Sequence, residues 1–116
     1  MVEQGDTHAV PTGDDLLKAL AALANPHRLR VVGVLSHGRQ YVSQLAREIH
    51  MSRPLLHMHL QRLEAAGLVL GTLELSEEGK AMKYYEVAPF ALSITPQLIA
   101  SAVETLSISG AASEES

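Results

Sequence analysis

Arg53, His57 and Gln61 lie in the run SRPLLHMHLQRLEAAG, and their side chains are the ones in this chain best suited to reading a nucleic acid. A guanidinium can make a bidentate contact with guanine and a carboxamide with adenine, so Arg53 and Gln61 are candidate readers of base edges. Arg53 is equally suited to holding a phosphate, which positions a protein on DNA without reading sequence. At about 100° per residue, Leu56, Leu60, Leu63 and Gly67 share one face of a helix. Arg53, Pro54, His57, Met58 and Gln61 fall on the other side or at its N-terminus. Ser52 is placed to cap that helix, with a phosphate contact as a secondary role. Pro54 sits just inside the start, where its missing N–H costs nothing. Arg47 upstream and Arg62 within the run are candidate phosphate contacts, each equally readable as an ordinary solvated arginine. His57 faces outward, toward a groove or bare solvent. His59 lies at the edge of the apolar stripe, where helices bury an imidazole with a hydrogen bond, so it reads as structural.

These side chains need a scaffold, and the flanking sequence predicts one. Val42–Gly67 reads as two short helices around a tight turn, the arrangement of a helix-turn-helix whose second helix enters the major groove. Periodicity alone also fits an ordinary amphipathic helical hairpin. Two β-like runs follow, Leu68–Leu75 and Ala81–Val87, around the turn SEEGK, where Gly79 suits a positive φ. Upstream, a helix over about Asp14–Ala24 carries Asp14 and Asp15 at its positive end and a stripe of Leu16, Leu20 and Leu23. Asn25 and Pro26 cap and open a second helix to about Ser36, with Leu29, Val32 and Leu35 on its inner face. Thr95 and Pro96 open a last helix to about Leu106, whose apolar stripe is too broad for one small core. The fold class expected is mainly α with a small β-hairpin: a winged helix-turn-helix of five helices and a two-stranded wing. Residues 1–13 are expected to form a flexible arm, 14–106 the DNA-binding and dimerisation domain, and 107–116 a flexible tail.

The segments ALANPHRLRVVGVL, VSQLAREIHMSRPLLHMHLQRLEAAGLV and KYYEV, in that order, resemble the ArsR/SmtB family of dimeric bacterial and archaeal transcription regulators. The resemblance runs from about Leu16 to about Leu106. It implies a homodimer made by the first and last helices across a two-fold axis, with Leu16, Leu20, Leu98, Ile99 and Val103 in the interface. Many members of the family release DNA when a metal binds. One sensory site carries two cysteines in an ELCVCDL motif; the matching segment here is RQYVSQL, with Tyr41 and Ser43 in their places. A second site uses carboxylates and histidines of the last helix, which here offers Glu104 alone. A weaker resemblance, to the nickel-responsive SrnR-type branch that also lacks the cysteine site, implies imidazole and oxygen ligands for Ni²⁺ or Zn²⁺. His8, on the arm before the first helix, is the candidate ligand. Wings of the family commonly present basic residues to the minor groove, yet this tip reads Ser76-Glu77-Glu78-Gly79-Lys80, leaving Lys80 and Lys83 as the wing's candidate DNA contacts.

A net charge of −4 argues against DNA binding until it is divided along the chain. Residues 1–25 carry one lysine against four acids, a net −3; residues 26–67 carry six arginines against two glutamates, a net +4. Residues 68–116 carry two lysines against seven glutamates, a net −5. The basic block coincides with the helix-turn-helix and its approach, an electrostatic footprint for phosphate between acidic flanks that oppose loose binding. No cysteine is present, so disulfides and thiolate metal sites are excluded. The opening MVEQGDTHAVPTG lacks the basic and apolar regions of a signal peptide, and no apolar run approaches a membrane span, so a cytoplasmic protein is expected. With no cysteine nucleophile, HExxH or glycine-rich phosphate loop, an enzyme is not expected. The reading is a homodimeric, sequence-specific regulator of transcription that binds a palindromic operator in double-stranded DNA. Alternatives are a metal-responsive regulator, a DNA-binding subunit acting with a separate sensor protein, and a winged helix kept as a protein-interaction module.

Overall fold

The computed structural model of the protein describes residues 11–107. In these residues the order of elements is α1 (Gly13–Leu23), α2 (Pro26–Leu35), β1 (Gln40–Tyr41), α3 (Val42–Glu48), α4 (Arg53–Ala65), β2 (Val69–Leu75), β3 (Ala81–Val87) and α5 (Pro96–Val103). The chain divides into two compact units, one of residues 19–90 and the other built from residues 11–18 and 91–107. The arm and tail expected at 1–13 and 107–116 lie almost wholly outside the described residues.

The larger unit holds the helix-turn-helix. Asn25 caps α2, its Oδ1 accepting from His27 N at 2.9 Å and Arg28 N at 3.2 Å, and Pro26 follows inside the start. The inner face of α2 is Val31 and Leu35, not Leu29 and Val32 as the periodicity suggested; Leu29 is 58% exposed. The phase is displaced because Arg28, on the Val31–Leu35 side, is drawn inward by polar partners described below. Helix α4 packs on α2, α3 and β2. Leu56, Leu60 and Leu63 are closed from solvent, together with Val31 of α2, Leu45 of α3, Val69 of β2 and Tyr85 of β3. Burying a leucine of this kind is worth about 1.5–3 kcal/mol, so α4 is seated chiefly by these three side chains.

The wing has a third strand that the sequence did not disclose. The sheet order is β1-β3-β2, all antiparallel, with Gln40 opposite Tyr85 and Tyr41 opposite Tyr84. A two-residue strand is too short to show alternation, and only its pairing with β3 defines it. The β2–β3 hairpin runs from Val69 opposite Val87 to Leu75 opposite Ala81. Its tip closes with Ser76 N donating to Lys80 O at 2.8 Å, and Gly79 there has φ +80°. Gly71 faces Tyr85 across the ladder, and a methyl at Gly71 would stand 2.7 Å from the tyrosine ring.

In the smaller unit α1 opens where Thr12 Oγ1 accepts from Asp15 N at 3.0 Å. The stripe expected at Leu16, Leu20 and Leu23 is shifted: Leu16 is buried, and of the α1 residues that belong to the larger unit Ala19 and Ala22 are buried while Leu20 is 38% exposed. Gly13 approaches α5 so closely that a Cβ would collide with the Ala102 carbonyl oxygen. Helix α5, capped by Thr95 Oγ1 at 3.0 Å from Leu98 N, ends at Val103 rather than Leu106. Beyond it the chain tightens into i→i+3 hydrogen bonds, and the Thr105 hydroxyl donates to Ala102 O at 3.1 Å while accepting from Gly13 N at 2.8 Å. No helix among the described residues is long and apolar enough to cross a membrane.

Gly71→Ala must push the Tyr85 ring out of its buried place, and such overpacking costs about 1–3 kcal/mol. The expected result is a lower urea midpoint with an unchanged slope; an unaltered midpoint would show that Tyr85 yields freely.

Candidate nucleic-acid interface

Two chain reversals aim the exposed face of α4. At the end of α3, His50 N donates to Arg47 O at 3.3 Å and Met51 N to Ala46 O at 3.0 Å, a Schellman closure around His50 at φ +53°. The chain then enters α4 through Ser52, whose Oγ accepts from Leu55 N at 3.3 Å, with Pro54 in the first turn. At the far end the same closure recurs: Gly67, at φ +76°, donates to Glu64 O at 2.9 Å and Leu68 N to Leu63 O at 2.9 Å. Between these stops Arg53, Pro54, His57, Met58, Gln61 and Arg62 are all exposed. Leu55 and Met58, 41% and 48% exposed, add apolar surface of the kind that meets a thymine methyl; the sequence reading did not single out Leu55.

Ser43, Arg47, His50 and Arg53 line an open depression at the α3–α4 turn. Arg47 and Arg53 are exposed, and no ion pair with either is found among the described residues. The basic block is smaller than a count of arginines implies, because two of the six are committed elsewhere. The Arg39 guanidinium lies 3.8 Å over the Tyr84 ring and 3.7 Å from Glu74 Oε2. Glu74 also accepts from the Tyr41 hydroxyl at 3.1 Å, and that bond to a carboxylate pushes the phenol's pKa up. At the wing, Lys80 is exposed in the turn, and Lys83 Nζ lies 5.4 Å from the centre of the Tyr85 ring.

Arg28 is the second committed arginine. Its Nε donates to Ala22 O at 2.6 Å, in the last turn of α1, and its Nη1 stands 3.1 Å from His59 Nδ1 on α4. A guanidinium only donates, so Nδ1 is the acceptor and the imidazole carries its proton on Nε2. His59 is 5% exposed, with the His27 ring 5.5 Å away. Burial first, then the charges of Arg28, His27 and Arg62, hold its pKa below the ordinary histidine value.

The residues standing at the family's sensory positions do not fit a metal. Tyr41 keeps its phenolic proton for Glu74, Ser43 offers a neutral hydroxyl, and Glu104 is exposed at the end of α5. Among the described residues no group of three or more histidine or carboxylate side chains is placed to hold an ion. His8 lies outside the described residues. Of the residues expected at a dimer interface, Leu16 is 5% exposed and so already closed within one chain, and Leu98 is half-buried. Leu20, Ile99 and Val103 are 38%, 46% and 56% exposed, as is the neighbouring Leu17 at 55%.

Comparison with known proteins follows the same outline. Residues 25–70, from the cap of α2 into β2, match the family model described as bacterial regulatory protein, arsR family. The chain is 34% identical over 85 residues to an uncharacterised HTH-type transcriptional regulator of Methanocaldococcus jannaschii, covering 73% of this chain and 88% of that protein. It is 40% identical over 57 residues to the HTH-type transcriptional repressor SmtB of Mycobacterium tuberculosis, covering 49% of this chain and 40% of the repressor. Among solved structures, the ArsR-like transcriptional regulator from Rhodococcus sp. RHA1 superposes with a TM-score of 0.56 at 24% identity, over 88% of this chain and 85% of that one. These relatives lend no support to the SrnR-type nickel likeness.

The His59 environment makes stability depend on pH in a definite sense. Unfolded, the imidazole binds a proton below about pH 6.5, while the native ring resists it to lower pH. The unfolded chain then holds more protons, so stability is full above about pH 6.5 and declines as pH falls toward the native value. Calorimetry should show a Tm that drops below about pH 6.5 in the wild type and drops less in His59→Asn. Equal declines would assign the acid sensitivity to other groups.

Proposed function

The chain belongs to the ArsR family of winged helix-turn-helix, DNA-binding regulators of transcription, and we propose that it acts as a homodimer whose two α4 helices read a palindromic operator in the cytoplasm. Membership agrees with a regulator rather than an enzyme. The observation that carries the finer reading is the division of α4 into a face closed by Leu56, Leu60 and Leu63 and a face that leaves Arg53, His57 and Gln61 exposed. In a dimer the two helices would enter successive major grooves about one helical turn apart. Arg47 and Arg62 serve the phosphates, with Lys80 and Lys83 the weaker contacts because the wing tip is acidic. The exposed Leu17 and Leu20 of α1 and Ile99 and Val103 of α5 support a second copy of the chain as the element that covers them.

Binding to an operator should weaken steeply with salt, the logarithm of affinity falling by about 0.9 per phosphate neutralised for each decade of salt. Arg53→Ala and Gln61→Ala should each cost about 1–3 kcal/mol of preference for the operator over random duplex, measured by competition gel shift. Unchanged preference in both would remove α4 as the reader.

Leu20→Glu and Val103→Glu should sediment as monomers and bind the operator weakly, because each half-site loses the effective concentration its tethered twin supplies. Dimers persisting in both variants would place the subunit contact elsewhere.

A further inference from the structure

We propose that Arg28 and His59 are positioning residues for operator binding and make that binding sensitive to protons. The proposal rests on the DNA-binding reading of α4. Arg28 ties the Ala22 carbonyl at the end of α1 to His59 in the middle of α4, at 2.6 Å and 3.1 Å. His59 is buried on the side of α4 that carries Leu56, Leu60 and Leu63, so whatever moves its ring moves the seat of the helix that presents Arg53, His57 and Gln61.

The bond from Arg28 requires an unprotonated Nδ1. When the ring takes a second proton both nitrogens become donors, the acceptor is lost, and two cations face each other where one hydrogen bond had been. Among the described residues no carboxylate acts on the ring to absorb the charge. The groups that act on the ring are Arg28 and His27 from α2 and Arg62 from α4 itself, all basic. Of α3 and β2, which also pack on α4, no charged group among the described residues acts on the ring. Separation of the pair is the available relief, and it loosens α4 from α2. A reading helix must hold its side chains within a fraction of an ångström of their base partners, so a loosened seat weakens specific binding before the fold is lost.

The direction is opposite to that of simple charge. Positive charge gained in acid would by itself strengthen attraction to phosphate, whereas the Arg28–His59 pair acts to release DNA. The probe is the duplex that the wild-type dimer selects from a random pool at about pH 7.5, titrated at constant ionic strength down to about pH 5.5. His59→Asn keeps an amide oxygen near the place of Nδ1 but takes no proton, and surface histidines act equally in both proteins. The ratio of wild-type to His59→Asn affinity should fall by about tenfold across that range, while circular dichroism shows both folded. In parallel, NMR titration of the wild-type protein should show the His59 ring gaining its proton over the pH interval in which affinity is lost. Parallel affinity curves, or a His59 ring still neutral where wild-type binding has gone, would overturn the proposal while leaving DNA recognition intact; the NMR result decides even if the variant fails to fold. Absence of any selected duplex at about pH 7.5 would instead overturn the DNA-binding reading and this proposal with it.

Discussion

An arginine cannot shed its charge, and a partly buried one must be met by acceptors wherever its nitrogens point. Arg28 meets that demand with two partners from different helices, the Ala22 carbonyl in the last turn of α1 and the imidazole of His59. The first is one of the carbonyls a helix end leaves unsatisfied, and a cation there also opposes the negative end of the helix dipole. The second obliges a buried histidine to remain neutral. Hydrophobic contact decides that α4 is buried on its leucine face, but such contact is non-directional. The Arg28 bonds add direction, joining α1, α2 and α4 at one point.

Much of the fold was legible because it rests on local chemistry. Asn25-Pro26, Ser52 followed by Pro54, and Thr95-Pro96 are caps with prolines in the first turn, and each starts a helix where it stands. Gly79 occupies the left-handed position its turn suggested, and Gly67 takes one that the sequence reading had not assigned to it. What was not legible depends on partners distant in sequence. The phase of α2 differs from the expectation because Leu29 and Val32 look like core, whereas the face with buried Val31 and Leu35 also carries Arg28, whose partner His59 lies 31 residues away. Strand β1 exists only through Tyr84 and Tyr85. On the exposed face of α4 side-chain type was informative, since a helix that leaves an arginine, a histidine and a glutamine in solvent has no packing reason to carry them there.

Charge is placed more economically than a tally of acids and bases suggests. Arg39, Tyr41 and Glu74 close on one another beside Tyr84 and cancel at the root of the wing. The acidic tip is likewise partly engaged internally, Ser76 Oγ donating to Glu78 Oε1 at 3.3 Å. Five arginines are exposed between residues 26 and 67; with Arg39 engaged by Glu74 and Tyr84, Arg30, Arg47, Arg53 and Arg62 are left, three of them on the helix-turn-helix itself. The long-range field of an acidic protein repels DNA, so attraction must be short-ranged and confined to that edge.

The turn between α3 and α4 uses His50 where a glycine would sit without strain. A histidine in the left-handed region raises the energy of the native backbone, but it also leaves the unfolded chain fewer conformations to forfeit, and the two effects oppose each other. The position can therefore carry a full side chain at small net expense. That side chain lies in the depression with Ser43, Arg47 and Arg53, so the sharpest bend in the reading unit also contributes an imidazole to its surface. A glycine would make the same bend and leave that surface bare.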